Sequence, residues 1–238
     1  LSKKEKAAGE KAPAVLKGKR KMQYNFSKDS DYHTQINNKV MPLSTCNTTS
    51  MIMALKQAGH HLEHPPTLQP EDYLTGFLNN PLALDTMKTL TPWAWDTNKD
   101  RPIVPPQEVH QMLQWAVNTL LKKEACRFTL EAKLSTLVAN LLTGGGIVLS
   151  GLFPTHNGRL AHMVSLAGFT TDNDKNHVEE KNITGFIIDD PFGNFRTSYK
   201  DPRGNNIHLS KKEFLKIFKS IDNKSHKWAH VVRPVGFF

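Results

Sequence analysis

Gly144-Gly145-Gly146-Ile147-Val148-Leu149-Ser150-Gly151-Leu152 is where the pattern of the chain changes. Upstream, apolar residues recur at helical spacing; from Ile147 onward they fall in short continuous runs bounded by turn formers, as buried strands do. Ile147–Leu152, Met163–Phe169 and Ile183–Asp189 are three such runs, and Trp228–Arg233 reads as a fourth. Ser210 and Glu213 form a capping box ahead of Phe214, Leu215, Ile217 and Phe218, which marks a helix start.

Working back toward the N-terminus, residues 129–142 place Leu130, Leu134, Leu137, Val138 and Leu141 on one helical face. Residues 106–122 do the same with Val109, Met112, Leu113, Ala116, Val117, Leu120 and Leu121. The stretch 82–105 reads as irregular. Pro70-Glu71-Asp72 opens a short helix that ends near Asn79-Asn80-Pro81. A longer helix runs from about Cys46 to Ala58, with Gly59 at its C′ position and Ser44 or Thr45 able to cap it. Helices first and antiparallel strands afterwards predict an α+β domain with its helices on one side of a sheet. No internal repeat is visible.

Size and composition fit one sizeable domain: 238 residues, 38% hydrophobic and 22% charged. No run approaches the roughly 18 apolar residues of a membrane span. The basic N-terminus has no apolar block behind it, so it does not read as a signal peptide. The chain starts at Leu1, as a processed or trimmed product would. Residues 1–22 hold seven Lys and Arg20 against Glu5 and Glu10, so six of the nine formal positive charges sit there. With few apolar residues this segment is expected to be a flexible basic arm or linker, leaving 23–238 as the domain. The rest of the chain is only mildly basic. A specific nucleic-acid function is therefore not expected, although an anionic polymer would attract the arm.

Two cysteines cannot build a disulfide framework and do not form a metal-binding pair. One reactive and one buried thiol is the economical account, with a single bridge as the alternative. Cys46 is the candidate for reactivity. A thiol at a helix N-terminus faces unpaired N–H groups and the positive end of the dipole, which favour the ionised sulfur and can stabilise an oxyanion beside it. The competing account is a small buried hydrophobe. Cys126, beside Arg127, is expected to be structural.

A thiolate nucleophile needs a base and an orienting group. Among eleven histidines, His162 opens the buried run Leu160-Ala161-His162-Met163-Val164. The next run ends Ile187-Ile188-Asp189-Asp190-Pro191. If the two strands pair antiparallel, His162 and Asp190 become neighbours. Taken singly, they are equally well a core histidine and a turn-forming Asp-Pro.

Four segments together resemble one family: Gln35-Ile36-Asn37-Asn38 with Ser44-Thr45-Cys46-Asn47-Thr48-Thr49-Ser50-Met51, then Gly144–Val148, Ala161–Val164, and Asp189-Asp190-Pro191-Phe192-Gly193-Asn194. In this order, across roughly residues 31–200, they look like papain-like cysteine peptidases of the bacteriocin-processing, double-glycine branch. The resemblance implies a papain-like fold in which helices carry the cysteine and an antiparallel sheet carries His and Asp. It implies that Cys46 attacks the scissile carbonyl, His162 protonates the leaving amine and Asp190 holds the imidazole, with Asp189 as the alternative orienter. Gln35 and the Cys46 N–H would serve the oxyanion, although the eleven-residue separation is longer than in papain. The Cys46-to-His162 separation of 116 residues is a little under the roughly 130–150 of papain-type enzymes. No cofactor or metal is implied. Relatives of this appearance cut leader peptides or act on cell-wall peptides, including phage lysins. A monomeric endolysin-like enzyme acting on peptidoglycan outside the cell is the favoured expectation, a processing peptidase the alternative, and a non-catalytic peptide- or wall-binding module of the same fold the third.

His60-His61-Leu62-Glu63-His64 spells a zinc-peptidase motif, but Gly59 before it and Pro65-Pro66 after it deny the helix that motif needs. A surface loop is expected instead. Trp93 and Trp95 are expected to anchor their proline-rich loop, with groove lining as the alternative.

Overall fold

The computed structural model describes residues 21–173, 178–220 and 226–236. The chain runs β1 (Met22–Asn25), α1 (Cys46–Gln57), α2 (Pro70–Leu78), α3 (Pro81–Leu90), the two-residue strands β2 (Trp95–Asp96) and β3 (Arg101–Pro102), and α4 (His110–Leu121). There follow β4 (Cys126–Ala132), α5 (Leu134–Leu142), β5 (Gly146–Thr155), β6 (Gly158–Thr171), β7 (Ile183–Asp189), β8 (Ile207–Ser210), α6 (Lys211–Ile217) and β9 (Lys227–Val232). It is an α+β fold around a seven-stranded sheet of order β4-β9-β5-β6-β7-β8. Every pairing in it is antiparallel, and β1 pairs with the far half of β6. No helix among the described residues is long and apolar enough to cross a membrane.

Helix signals act where they were expected at several ends. Gly59, at φ +78°, follows the C-cap of α1 in the left-handed region that a glycine tolerates without a Cβ penalty. Pro70 sits in the first turn of α2, and the Ser210–Glu213 capping box opens α6.

Four expectations need correction. The stretch 82–105 is not all irregular, because Pro81–Leu90 forms α3. Asn80 caps it by accepting from the Ala83 N–H at 2.8 Å, and Pro81 is its first residue. Residues 129–132 belong to strand β4, whose Cys126 pairs with Val232, rather than to the helix that follows. The third predicted helix starts at His110, after a short 3₁₀ turn over Pro106–Glu108. Of the expected arm, residues 1–20 lie outside the described residues, and Met22 at its end begins β1.

Nor do the helices share one side of the sheet. On one face, α1, α2, α3 and α4 bury Met51, Ile52, Leu55, Leu74, Met87 and Leu113 together with Val148 and Met163. On the other, α5 and α6 bury Leu137, Leu141, Phe214 and Ile217 against Ile147, Leu149, Val164 and Leu166. Strands covered on both faces read as continuous apolar runs, because inward positions of either parity are buried. Each large apolar side chain so buried contributes roughly 1.5–3 kcal/mol, so the α1 face is firmly seated on β5 and β6.

Candidate active site

Cys46 is the first residue of α1 and is partly exposed, with no disulfide. Thr45 is the N-cap residue, but its side chain does not cap. Its hydroxyl accepts from Asn38 Nδ2 at 2.9 Å, and the same amide reaches Thr49 Oγ1 at 3.0 Å. Asn38 therefore fastens the incoming loop to the first turn. On the opposite side of that turn, Asn47 Nδ2 donates to the Gln107 carbonyl. Helix geometry leaves the first N–H groups of α1 without backbone acceptors; Asn47 Oδ1 accepts from that of Thr48 at 2.8 Å, and those of Cys46 and Asn47 suit a developing anion.

One turn on, Ser50 Oγ donates to the Met163 carbonyl at 3.0 Å. That bond ties the helix bearing Cys46 to the strand residue beside His162. His162 is the fifth residue of β6, which begins at Gly158 rather than at the histidine. Its ring is 4% exposed. Phe153, Phe192 and Tyr199 meet it at steep angles, with centroids 5.3, 6.3 and 6.0 Å away.

The β6–β7 register sets Ser165 opposite Asp189, so the turn after β7 curls back over residue 162. His162 Nε2 lies 2.7 Å from Asp190 Oδ1, which also accepts from the Phe192 N–H at 2.9 Å. Asp190 is fully buried, and its main chain is held by Gly204 and by the Tyr32 hydroxyl. With Nε2 committed to Asp190, Nδ1 is the nitrogen left for Cys46, which lines the same cleft. Burial lowers the imidazole pKa, yet the Asp190 carboxylate and then Cys46 outweigh it and raise His162 to about 10.

Asp189, the alternative orienter, points elsewhere. Its carboxylate accepts from Ser27 Oγ at 2.6 Å and the Asn206 N–H at 2.8 Å, fastening the segment after β1 and the loop before β8 to the end of β7. Burial raises its pKa, opposed by those two donors.

Gln35 is buried, 2% exposed, but does not line the cleft. Its Nε2 donates to the Pro42 carbonyl at 2.8 Å and its backbone N–H to the Pro191 carbonyl at 2.9 Å. It thus links the turn after Asp190 to the loop leading into Cys46.

The cleft itself holds about 290 Å³. Ser44, Cys46 and Asn47 form one wall; Ser150, His162 and Met163 form another. Leu43 and Ala161 add to the lining, as do Glu108, His110 and Lys219, three residues that no sequence motif marked. A larger hollow of about 500 Å³ beside Trp115 and Lys122 brings no nucleophile to a base.

The remaining candidates separate cleanly. Residues 60–64 form a loop in which His60 is buried and bonds the Arg233 carbonyl at 2.7 Å, while His61 is exposed. Trp95 packs into the core, whereas Trp93 is 62% exposed. Neither lines the cleft. Cys126 is buried, and burial pushes its thiol pKa well up.

No family model matches the chain, and no curated protein does. Among solved structures, one similar chain is a candidate C39-like peptidase from Bacillus anthracis, 13% identical, with a TM-score of 0.49 over 89% of this chain and 97% of that one. A likeness that remote assigns no family.

Proposed function

We propose that this chain is a papain-like cysteine peptidase in which Cys46 attacks an amide carbonyl and His162 carries the proton. One observation supports this above all: a buried His162–Asp190 pair at 2.7 Å whose imidazole lines one cleft together with the Cys46 thiol. In the proposed cycle the sulfur of the Cys46–His162 ion pair adds to the carbonyl carbon. The oxyanion is met by the N–H of Cys46; Gln35 is the proposed second donor, its amide turning from the Pro42 carbonyl toward the cleft when substrate binds. His162 gives its proton to the leaving amine, a thioester forms at Cys46, and water activated by the neutral imidazole hydrolyses it. Asp190 keeps the ring in one tautomer and orientation. The proposed substrate is a cell-wall peptide, a polymer setting that the basic N-terminal sequence suits; leader-peptide processing is the competing result of the same assay.

The test incubates the protein and its Cys46→Ser variant with purified peptidoglycan and with a mixed peptide library, and reads new termini by mass spectrometry. Termini that appear only with the wild type support the reading, and the substrate pool in which they arise selects between wall and processing roles. Iodoacetamide near pH 6 should alkylate Cys46 quickly and lose that speed in His162→Ala. Slow labelling indifferent to His162 would leave a binding module.

A further inference from the structure

Two groups in the cleft have no part in the proposed reaction. His110 heads α4, where its ring lies flat on Phe128, 4.2 Å between centroids and 1° between planes. Trp228 meets it edge-on. Its Nδ1 faces His230 Nε2 at 2.9 Å, and His230 Nδ1 faces Cys126 Sγ at 3.7 Å. A three-member chain therefore runs from the cleft to a buried thiol.

The direction of that chain follows from whether the buried thiol donates or accepts. Burial keeps the proton on Cys126. Burial also lowers both imidazoles, with Lys219 adding to the effect on His110, which falls to about 4. Each ring is then neutral and holds one proton. If the thiol donates to His230 Nδ1, His230 must carry its proton on Nε2 and donate to His110 Nδ1. His110 then keeps its own proton on Nε2, the ring edge turned away from His230. In that tautomer His110, which lines the cleft, holds an N–H on the edge that His230 does not take.

Lys219 stands at the same cleft. Its backbone N–H donates to the Ser150 carbonyl at 2.9 Å, and its ammonium lies 4.6 Å from the centre of the Trp228 ring. None of the ion pairs among the described residues engages it. Glu108, the carboxylate in the lining, is exposed on the turn before α4 and forms no such pair with it.

We propose that His110 and Lys219 form a subsite for a substrate carboxylate close to the bond that Cys46 attacks. An ammonium and a neutral N–H donor at one wall match two oxygens of one anion. A cationic group beside Lys219 would meet like charge, and a neutral amide would leave that charge unused. The subsite rests on the peptidase reading for its meaning as substrate selection, so its test reads charge preference without needing turnover.

Cys46 is alkylated at low ionic strength with N-iodoacetylglycine or with its neutral amide, and the modified cysteine is assigned by peptide mapping. Rates are normalised to those of the two reagents with free N-acetylcysteine. The acid should be preferred by about fivefold, the effect of one partly screened charge pair. Lys219→Met should bring the ratio close to one, Lys219→Glu should invert it, and ~0.5 M salt should suppress it. His110→Phe keeps the stack on Phe128 but removes the donor, and should reduce the preference about twofold to threefold. A wild-type ratio near one, or a preference that survives Lys219→Met, overturns the subsite. Alkylation that is slow and unaffected by His162→Ala instead overturns the peptidase reading while the ratio remains readable; a Cys46 that neither reagent labels overturns both.

Discussion

Replacing Gly146 by alanine tests how the helix carrying Cys46, the proposed nucleophile, is seated. Gly146 opens β5 beneath α1, and a Cβ added there would lie 1.9 Å from the Ala54 carbonyl oxygen and 2.6 Å from its carbon. Real Cβ atoms essentially never come within 3.0 Å of such atoms, so helix and strand must part by at least about 1.1 Å. Neither side can yield locally. Ala54 is in mid-helix with its carbonyl bonded to the Ala58 N–H, and Gly146 is paired with Val232. Moving α1 as a body loosens Met51, Ile52 and Leu55 from Val148 and Met163. Overpacking a core costs about 1–3 kcal/mol, and a clash between two backbones belongs at the upper end. About 3 kcal/mol corresponds to a melting temperature roughly 6–12 °C lower in a chain of this size. Cys46 lies about 12 Å up the same helix, and a displacement near 1 Å at a reacting group costs on the order of 100-fold in rate. Urea unfolding gives the first quantity and the pseudo-first-order alkylation rate of Cys46 the second. Gly76→Ala supplies the control: it lies in α2 with nothing within 4 Å of the added Cβ, and should stabilise by about 0.5–1 kcal/mol. A Gly146→Ala protein within about 0.5 kcal/mol of wild type, with unchanged Cys46 reactivity, would show that α1 does not bear on β5 as described.

Asp190→Asn should cost about 2 kcal/mol near neutral pH, the scale of a hydrogen bond to a charged group. Because His162 is raised from 6.5 to about 10, its contribution is fully present below about pH 6.5 and lost as pH rises through about 10. The unfolding free-energy gap between wild type and variant should narrow across that window; a gap constant in pH would refute the charged pair. Gln35→Ala should lower turnover by about 10²–10³ if the residue serves the oxyanion. Loss of stability alone, with turnover per folded molecule unchanged, would reduce Gln35 to its bonds with Pro42 and Pro191.

Much of this fold is legible because its signals are local. Gly59 after α1, the Ser210–Glu213 box and the uninterrupted apolar runs of β5 to β7 each report a backbone requirement within a few residues. Failures occur where two local readings compete. Asn80-Pro81 stops α2, yet the same pair is an N-cap and first-turn proline for α3. In β4, Phe128, Leu130 and Ala132 fit an alternating strand, while Leu130, Leu134 and Leu137 fit a helix. Pairing with β9, about a hundred residues away, decides between them. The second helical layer was hidden for a related reason. A strand buried on both faces carries no alternation that tells how many faces are covered.

The site divides along the same line. His162 and Asp190 could be brought together on paper because consecutive antiparallel strands set one beside the other. The grouping of His110, His230, Cys126 and Lys219 could not, since it depends on Phe128 standing opposite His230 and on Lys219 bonding Ser150. A deeper consequence follows from the two cores. Cys46 rides on a helix packed into one, whereas the strand bearing His162 sends Val164 and Leu166 into the other. The sheet lies between them, and the Ser50–Met163 bond pins the helix to it one turn from the sulfur. A substitution in the α1–α4 core therefore displaces the thiol relative to a fixed imidazole, and one in the α5–α6 core does the reverse. Either shift changes how Cys46 and His162 stand in their shared cleft, so reactivity at Cys46 should be lost well before the fold is.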